Sequence, residues 1–301
     1  MSSLPWSTHS VIRREAVFEG YLVAESPLRI GVGREPPLGS AVDLAVLRIK
    51  LDGKLVPYIP GSSLKGVFRS TAVQLANQKG LTVCSGLSKQ TCMDHNFDRI
   101  LTLLEKIQEE MKNGNVANAI RLFHERACLL CKVFGAPSFR GHAEFIDSYP
   151  VNEDGDVQDV PVGVRTGIAI NRRTGAVDQL YQVEYVESGA RFRFSIGTTN
   201  LPNYALGLLA KVMRMLNDGW VRIGGFKTRG FGEVRVEGLR FTASGPTVQG
   251  TKLLAVDEKD SELDLAGRVS STLRELEASG DKAWEVLAEL EGVWDRVEFK
   301  P

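Results

Sequence analysis

β-Prone apolar residues crowd the stretch from Val17 to Val23, with Val17, Phe18, Tyr21, Leu22 and Val23 in a short run that reads as a first strand. Leu44 to Leu51 and Lys54 to Ile59 form two further strands around the turn Asp52-Gly53. The spacing then changes to that of a helix. Leu64, Val67, Phe68, Thr71 and Leu75 make one apolar stripe, opened by the turn Pro60-Gly61 and by Ser62 or Ser63 as N-cap. Helical stretches also cover Arg99 to Lys112 and Val116 to Leu130, and a short strand covers Ala143 to Ser148. Arg165 to Thr198 reads as a long hairpin with a first turn at Asn171–Gly175. Its last strand alternates strictly, with Arg191, Arg193 and Ser195 opposite Phe192, Phe194 and Ile196. Leu201 to Asn217 is an amphipathic helix, Val234 to Phe241 the last core strand, and about Asp281 to Leu290 an acidic helix carrying Trp284, Leu287 and Leu290.

With residues 78–132 set aside as an insertion, the order is β-α-β-β-α-β. That is the α+β plan of ferredoxin-like and RNA-recognition folds. The expected organisation is a palm of residues 13–77 and 133–245, with a hairpin at about 160–190 projecting from it. The insertion at 78–132 is cysteine-bearing and helical, and an acidic helical extension covers 246–301. This tail lies outside the β-α-β-β-α-β plan and is free to bind a neighbouring subunit.

Charge adds one fact. The chain has formal net charge zero, yet residues 257–301 carry thirteen acidic against six basic side chains, so the rest is positive by about seven. Coating nucleic acid non-specifically is excluded by the overall balance; a polyanion site outside the tail is not. The first ten residues have no basic-then-apolar pattern and no apolar run reaches a membrane span, so a cytoplasmic protein without a membrane is expected.

Two basic, glycine-bearing segments point to phosphate. Lys65 and Arg69 flank the first helix beside Ser62 and Ser63, and a helix N-terminus offers free N–H groups and partial positive charge. The loop Gly224-Gly225-Phe226-Lys227-Thr228-Arg229-Gly230-Phe231-Gly232 combines glycines that let backbone approach a phosphate with two cations. Arg165, Arg172 and Arg173 on the hairpin would extend the surface, and Phe226, Phe231 and Tyr181 are either base-stacking or core. A capped helix and a tight turn with solvated cations remain the plainer readings. A nucleotide P-loop is excluded because Val67-Phe68 follows Gly66, and a Ser-x-x-Lys acyl-enzyme because Lys227-Thr228-Arg229 breaks the required Lys-Thr-Gly.

Asp43 stands among small apolar residues, either as a loop cap or as a ligand for a divalent metal or a ribose hydroxyl. Cys84-x7-Cys92 and Cys128-x2-Cys131 supply four thiols from one insertion, with His95 as a substitute ligand. Structural zinc, free buried thiols and disulfides are the three readings, the last disfavoured in a reducing compartment.

Four segments together resemble the RAMP superfamily, and more narrowly the repeated backbone subunit of type III CRISPR effector complexes. They are Ile59 to Arg69, Cys128-x2-Cys131 with Val133-Phe134-Gly135, Arg165 to Gly175, and Ile223 to Gly232. The resemblance covers about residues 15–242. It implies a palm, a zinc-bearing lid and a thumb hairpin near Arg165–Tyr185 that wedges between nucleotides. It further implies copies of the chain stacked along a guide RNA beside other effector subunits. Ser62, Ser63, Lys65, Arg69 and the loop with Gly224, Gly225, Lys227 and Arg229 would hold guide phosphates. An aspartate at the place of Asp43 would cut a complementary target RNA with a divalent metal such as Mg2+. The family pattern carries Gly-Gly before that aspartate, where Ser40-Ala41-Val42 stands here. The alternatives are a metal-independent processing endonuclease, which wants a histidine base, a non-catalytic RNA scaffold, and a zinc-stabilised interaction module.

Overall fold

A computed structural model describes residues 4–31, 42–51, 53–96 and 101–299. Its frame is built on β1 (Glu15–Ala24), in which every second residue from Ala16 to Ala24 is buried. β1 pairs antiparallel on one side with β8 (Arg191–Thr199) and on the other with β9 (Val234–Ser244). β4 (Ala143–Phe145) and β5 (Tyr149–Pro150) both pair with the outer side of β8. The order β9-β1-β8-β4 is what the split β-α-β plan requires of its four strands. Phe192, Phe194 and Ile196 point into the core, as the alternation of β8 predicts.

Helix α1 (Gly61–Gln78) and helix α5 (Asn203–Asn217) cover one face of the sheet. Leu64, Phe68, Leu208, Phe18, Phe194 and Phe241 share one contiguous core cluster. α1 starts where it does because Pro60 ends the preceding strand pair, β2 (Arg48–Leu51) with β3 (Lys54–Pro57), and because Gly61 passes tight against β4: a Cβ there would fall 2.1 Å from the Phe145 carbonyl oxygen. The residues 32–41 and Asp52 lie outside the described part, so of the predicted Asp52-Gly53 turn only Gly53 is described.

Three sequence expectations are corrected. The hairpin spans β6 (Val162–Ile170) and β7 (Val177–Val186) and stops there; β8 belongs to the central sheet, because its apolar face needs two helices to cover it while the hairpin's residues are mostly exposed. The second insertion helix is broken into α3 (Val116–Arg126) and α4 (Leu129–Phe134), with Ala127 and Cys128 extended between them. The first, α2 (Leu103–Lys112), begins at a Thr102–Glu105 capping box, the residues 97–100 being outside the described part.

The third correction concerns the tail. The short strands β10 (Val248–Gln249), β11 (Lys252–Leu253) and β12 (Leu263–Asp264) form a small sheet of their own. β13 (Ser270–Ser271) and β14 (Glu275–Ser279) extend the central sheet beyond β9. Helix α6 (Asp281–Arg296) packs on α5 so closely that a Cβ on Gly207 would sit 2.1 Å from the Leu290 carbonyl oxygen. Val286, Leu287, Leu290 and Trp294 are thereby buried in the chain's own core. The apolar side of this helix is thus covered by the chain's own α5.

One buried histidine ties fold stability to pH. His142 Nδ1 donates to the Thr199 carbonyl at 2.7 Å, its Nε2 is buried, and its ring stacks on His9 at 4.1 Å. Burial, with His9 next to it, pushes its pKa down to about 4. The folded pKa lies below the unfolded value near 6.5, so the unfolded chain binds the proton more tightly and stability is lost as pH falls from about 6.5 towards about 4. Denaturant midpoints between pH 7 and pH 4 should fall for the wild type and fall less steeply for His142→Gln.

Candidate nucleic-acid interface and metal centre

At the end of the sheet where β1 finishes and β8 and β9 begin, the chain 25–31 holds two structures together. Leu28 exchanges backbone hydrogen bonds with Val186 at the base of the β6–β7 hairpin. On the other side lies the glycine-rich loop. Gly225 N–H donates to the Arg29 carbonyl at 2.9 Å and Gly232 N–H to the Pro27 carbonyl at 2.9 Å. Gly224, at φ 79°, has room only for hydrogen, since a Cβ would lie 2.3 Å from the Arg29 oxygen. Gly224 therefore serves close packing against the strand end, and Gly232, where a Cβ would lie 2.0 Å from the Ile223 carbonyl oxygen, serves close packing within the loop. Gly225 spends its N–H on the chain itself, which departs from the expectation of a backbone cradle for phosphate.

That packing presents the loop's side chains to the hairpin. Phe226 is held in the left-handed region at φ 58°, and its ring carries the guanidinium groups of Arg29 at 5.5 Å and Arg229 at 5.1 Å. Arg229 Nη1 donates to the Tyr181 hydroxyl at 2.6 Å. Tyr181 lies flat across the hairpin because its directly opposite residue is Gly167, where a Cβ would come within 2.3 Å of the ring. The pair Gly163 and Tyr185 repeats the arrangement four residues along. Between them Arg165 reaches over Phe231, 5.2 Å from the ring centre, and Tyr185, at 5.7 Å. Phe231 is buried and belongs to the core; Phe226, Tyr181 and Tyr185 are half-buried. Lys227 is held below the ordinary lysine range by burial.

Asp43 meets this surface. The segment 42–46 runs along β7, with Leu44 N–H on the Gln182 carbonyl at 3.0 Å and Glu184 N–H on the Leu44 carbonyl at 3.0 Å. Asp43 Oδ2 accepts the Gln182 N–H at 2.7 Å, and its side chain is otherwise exposed in an open cleft shared with Tyr181, Phe226 and Arg229. An aspartate, two arginines and two aromatics are thus brought to one place from three distant parts of the sequence. The sequence signal for Tyr181 as a member was the cross-strand glycine, legible only once the register is known. Arg29 gave no signal at all.

Other predicted residues lie apart. Arg172 and Arg173 sit at the hairpin tip, where Asn171 Oδ1 accepts the Arg173 and Thr174 N–H groups. Seven residues of strand put that tip about 23 Å beyond Gln182. Ser62 and Ser63 are not caps: the helix begins at Gly61, whose N–H donates to Asp147 Oδ1 at 2.8 Å. A carboxylate thus already stands at the helix N-terminus, and the serine hydroxyls lie in its first turn. Lys65, half-buried, is held below the usual lysine range by burial and by Arg69, with Glu144 opposing. Arg69 faces away from that surface: Nη1 donates to the Gly135 carbonyl at 2.9 Å, and Nη2 reaches two cysteine sulfurs.

Those sulfurs form the second site. The Sγ atoms of Cys84, Cys92, Cys128 and Cys131 all lie within 4.8 Å of one another, and among the described residues they are the one group of three or more His, Cys, Asp or Glu side chains so placed. No disulfide joins them. Cys84 Sγ is 3.1 Å from Cys131 Sγ and 3.8 Å from Cys128 Sγ. Tetrahedral thiolates at about 2.3 Å from a zinc ion would stand about 3.8 Å apart, so the set fits such an ion. The break between α3 and α4 is what turns Cys128 and Cys131 toward Cys84 and Cys92. Around them Met93, Leu103, Ile107 and Phe123 form a satellite core separate from that of the sheet. His95 is not in the group.

No helix among the described residues is long and apolar enough to cross a membrane. The family model described as the RAMP superfamily matches residues 21–235. No curated protein matches the chain.

Proposed function

Since the chain belongs to the RAMP superfamily, we propose that it is an RNA-binding backbone subunit of a type III CRISPR effector complex. In this role it grips guide RNA along the phosphates and cuts the paired target RNA at Asp43. The observation that carries the reading is the meeting of Asp43 with Arg229, Tyr181 and Phe226 at the base of a projecting hairpin. Arginine and tyrosine hold phosphate, half-buried aromatic rings offer stacking platforms, and a carboxylate whose second oxygen has no hydrogen-bond partner among the described residues lies beside them. Arg165, Lys227 and Arg229 carry guide or target phosphates, with Lys65, Ser62 and Ser63 at the start of α1. Arg172 and Arg173 meet nucleotides further along the strand.

Asp43 is in place to ligate a divalent cation. Mg2+ commonly takes one or two carboxylates, with waters and substrate phosphates filling the rest, and when bound it supplies Lewis-acid stabilisation of a phosphorane. The carboxylate orients the target 2′-hydroxyl for attack on its adjacent phosphorus. The 2′-hydroxyl gives up its proton to water as the P–O bond to the 5′ oxygen breaks, and that oxygen takes a proton from water, leaving a 2′,3′-cyclic phosphate and a 5′-hydroxyl. A metal-independent processing enzyme would need a histidine at this cleft. His9, His124 and His142 gather instead around Trp6, and His95 adjoins the cysteines.

Purified protein should carry RNA, seen as a raised ratio of absorbance at 260 to 280 nm. Arg165→Glu combined with Arg229→Glu should weaken guide binding at least tenfold. The slope of log affinity on log salt should flatten by about 0.7 for each single-strand phosphate that is no longer neutralised. An unchanged slope would remove the hairpin base from the interface.

A further inference from the structure

The sequence pairs Arg69 with Lys65 as a phosphate ligand, but its surroundings are those of a buried counter-charge. The guanidinium leaves α1 one turn beyond Lys65 and enters the insertion. Nη1 is fixed on the Gly135 carbonyl at 2.9 Å, while Nη2 stands 3.8 Å from Cys84 Sγ and 3.7 Å from Cys131 Sγ. Nε is buried with no hydrogen-bond partner among the described residues. Gly86, at φ 76°, makes the space: a Cβ there would come within 2.2 Å of Nε. Cys92 Sγ accepts the Cys128 N–H at 3.2 Å, so three of the four sulfurs face an N–H donor.

A neutral thiol is a weak acceptor and offers little to a half-buried guanidinium. Four thiolates around a divalent ion carry net charge of minus two, spread over the sulfurs, and such a centre needs both a cation and N–H donors close by. We propose that Arg69 is an outer-sphere residue of the four-cysteine metal centre: it balances the thiolate charge through Cys84 and Cys131 and locks the centre to α1. It is a positioning residue, with no direct role in holding RNA. The inference rests on the four cysteines binding a metal.

Zinc affinity of the full chain, read by competition with a chromophoric chelator, and the spectrum of the cobalt(II) form test it together. Wild type should bind one metal per chain with the charge-transfer bands of a tetrathiolate. R69Q should bind zinc about 10- to 100-fold more weakly, the usual loss for an outer-shell partner. Its cobalt charge-transfer band should move to longer wavelength, because sulfur lone pairs lose their N–H donors. R69K, which keeps the charge and part of the donor set, should fall between the two, and decides the matter if R69Q does not fold. Guide RNA affinity of metal-loaded R69Q should stay within twofold of wild type. Unchanged zinc affinity and an unmoved band overturn the proposal, as does a loss of RNA affinity with metal binding intact. A wild-type chain that takes up no metal overturns the metal reading itself, and this inference with it.

Discussion

Asp43→Ala should reduce target cleavage by a factor on the order of 10^2 to 10^4, the range for removing a group that handles the reacting proton or charge. Guide RNA should stay bound, because the arginine and aromatic groups proposed to hold it lie on other side chains. The informative partner is Asp43→Asn. The carboxylate has a structural duty, since Oδ2 accepts the Gln182 N–H and pins segment 42–46 to the hairpin. An asparagine oxygen can accept the same hydrogen bond, so a merely structural Asp43 predicts near wild-type cutting in Asp43→Asn and a defect only in Asp43→Ala. A role as metal ligand or 2′-hydroxyl partner needs the negative charge, and then both variants fail alike. Labelled target RNA paired to guide, assayed with Mg2+ and again after EDTA, separates the cases. Cutting by Asp43→Asn at the wild-type rate in an assembled complex would falsify the catalytic assignment.

Cys131→Ser should abolish stoichiometric metal binding and cost about 3–5 kcal/mol of stability, a drop of roughly 10 °C in Tm for a domain of this size. Cys131 is fully buried and belongs to the satellite core with Met93 and Phe123, so its replacement leaves serine oxygen among sulfurs and apolar groups. The insertion has few other means of holding itself. Its satellite core is small, and α3 and α4 are about one and a half to three turns long, too short to persist alone. The damage should therefore be local. Hydrogen exchange should quicken first across residues 84–134, while β1, β8 and β9 keep their protection until global unfolding. Chelation of the wild type should reproduce the same pattern. Protection that survives chelation across residues 84–134 would mean that apolar packing alone holds the insertion.

The two sites differ in how far they could be read beforehand. The cysteine set was legible from spacing, because a Cys-x2-Cys pair and two further thiols within one insertion have few other uses. The two-layer α+β plan was legible as well, since strict alternation in β8 and helical spacing in α1 and α5 leave little choice of partner. The roles of the glycines and of Arg69 were not legible. A glycine that cradles phosphate and one that lets two backbones touch have the same letter, and here Gly224 and Gly232 do the second.

By itself, then, the chain's order of residues determined most elements of the palm, its β-α-β-β-α-β sequence and the cysteine set that could hold a metal, because periodicity and short spacings act within one or two turns of chain. Three things were decided only in the folded molecule. Tyr181 and Arg229 meet because the hairpin register places Tyr181 opposite Gly167. Arg69 turns from a surface cation into a neighbour of thiols because Gly86 and Gly135 lie over its helix. The acidic tail closes on its own domain because Gly207 admits α6 to contact with α5. Each depends on residues more than ten and up to about eighty positions apart, and where such a side chain points is set by what packs against it, which no local pattern encodes.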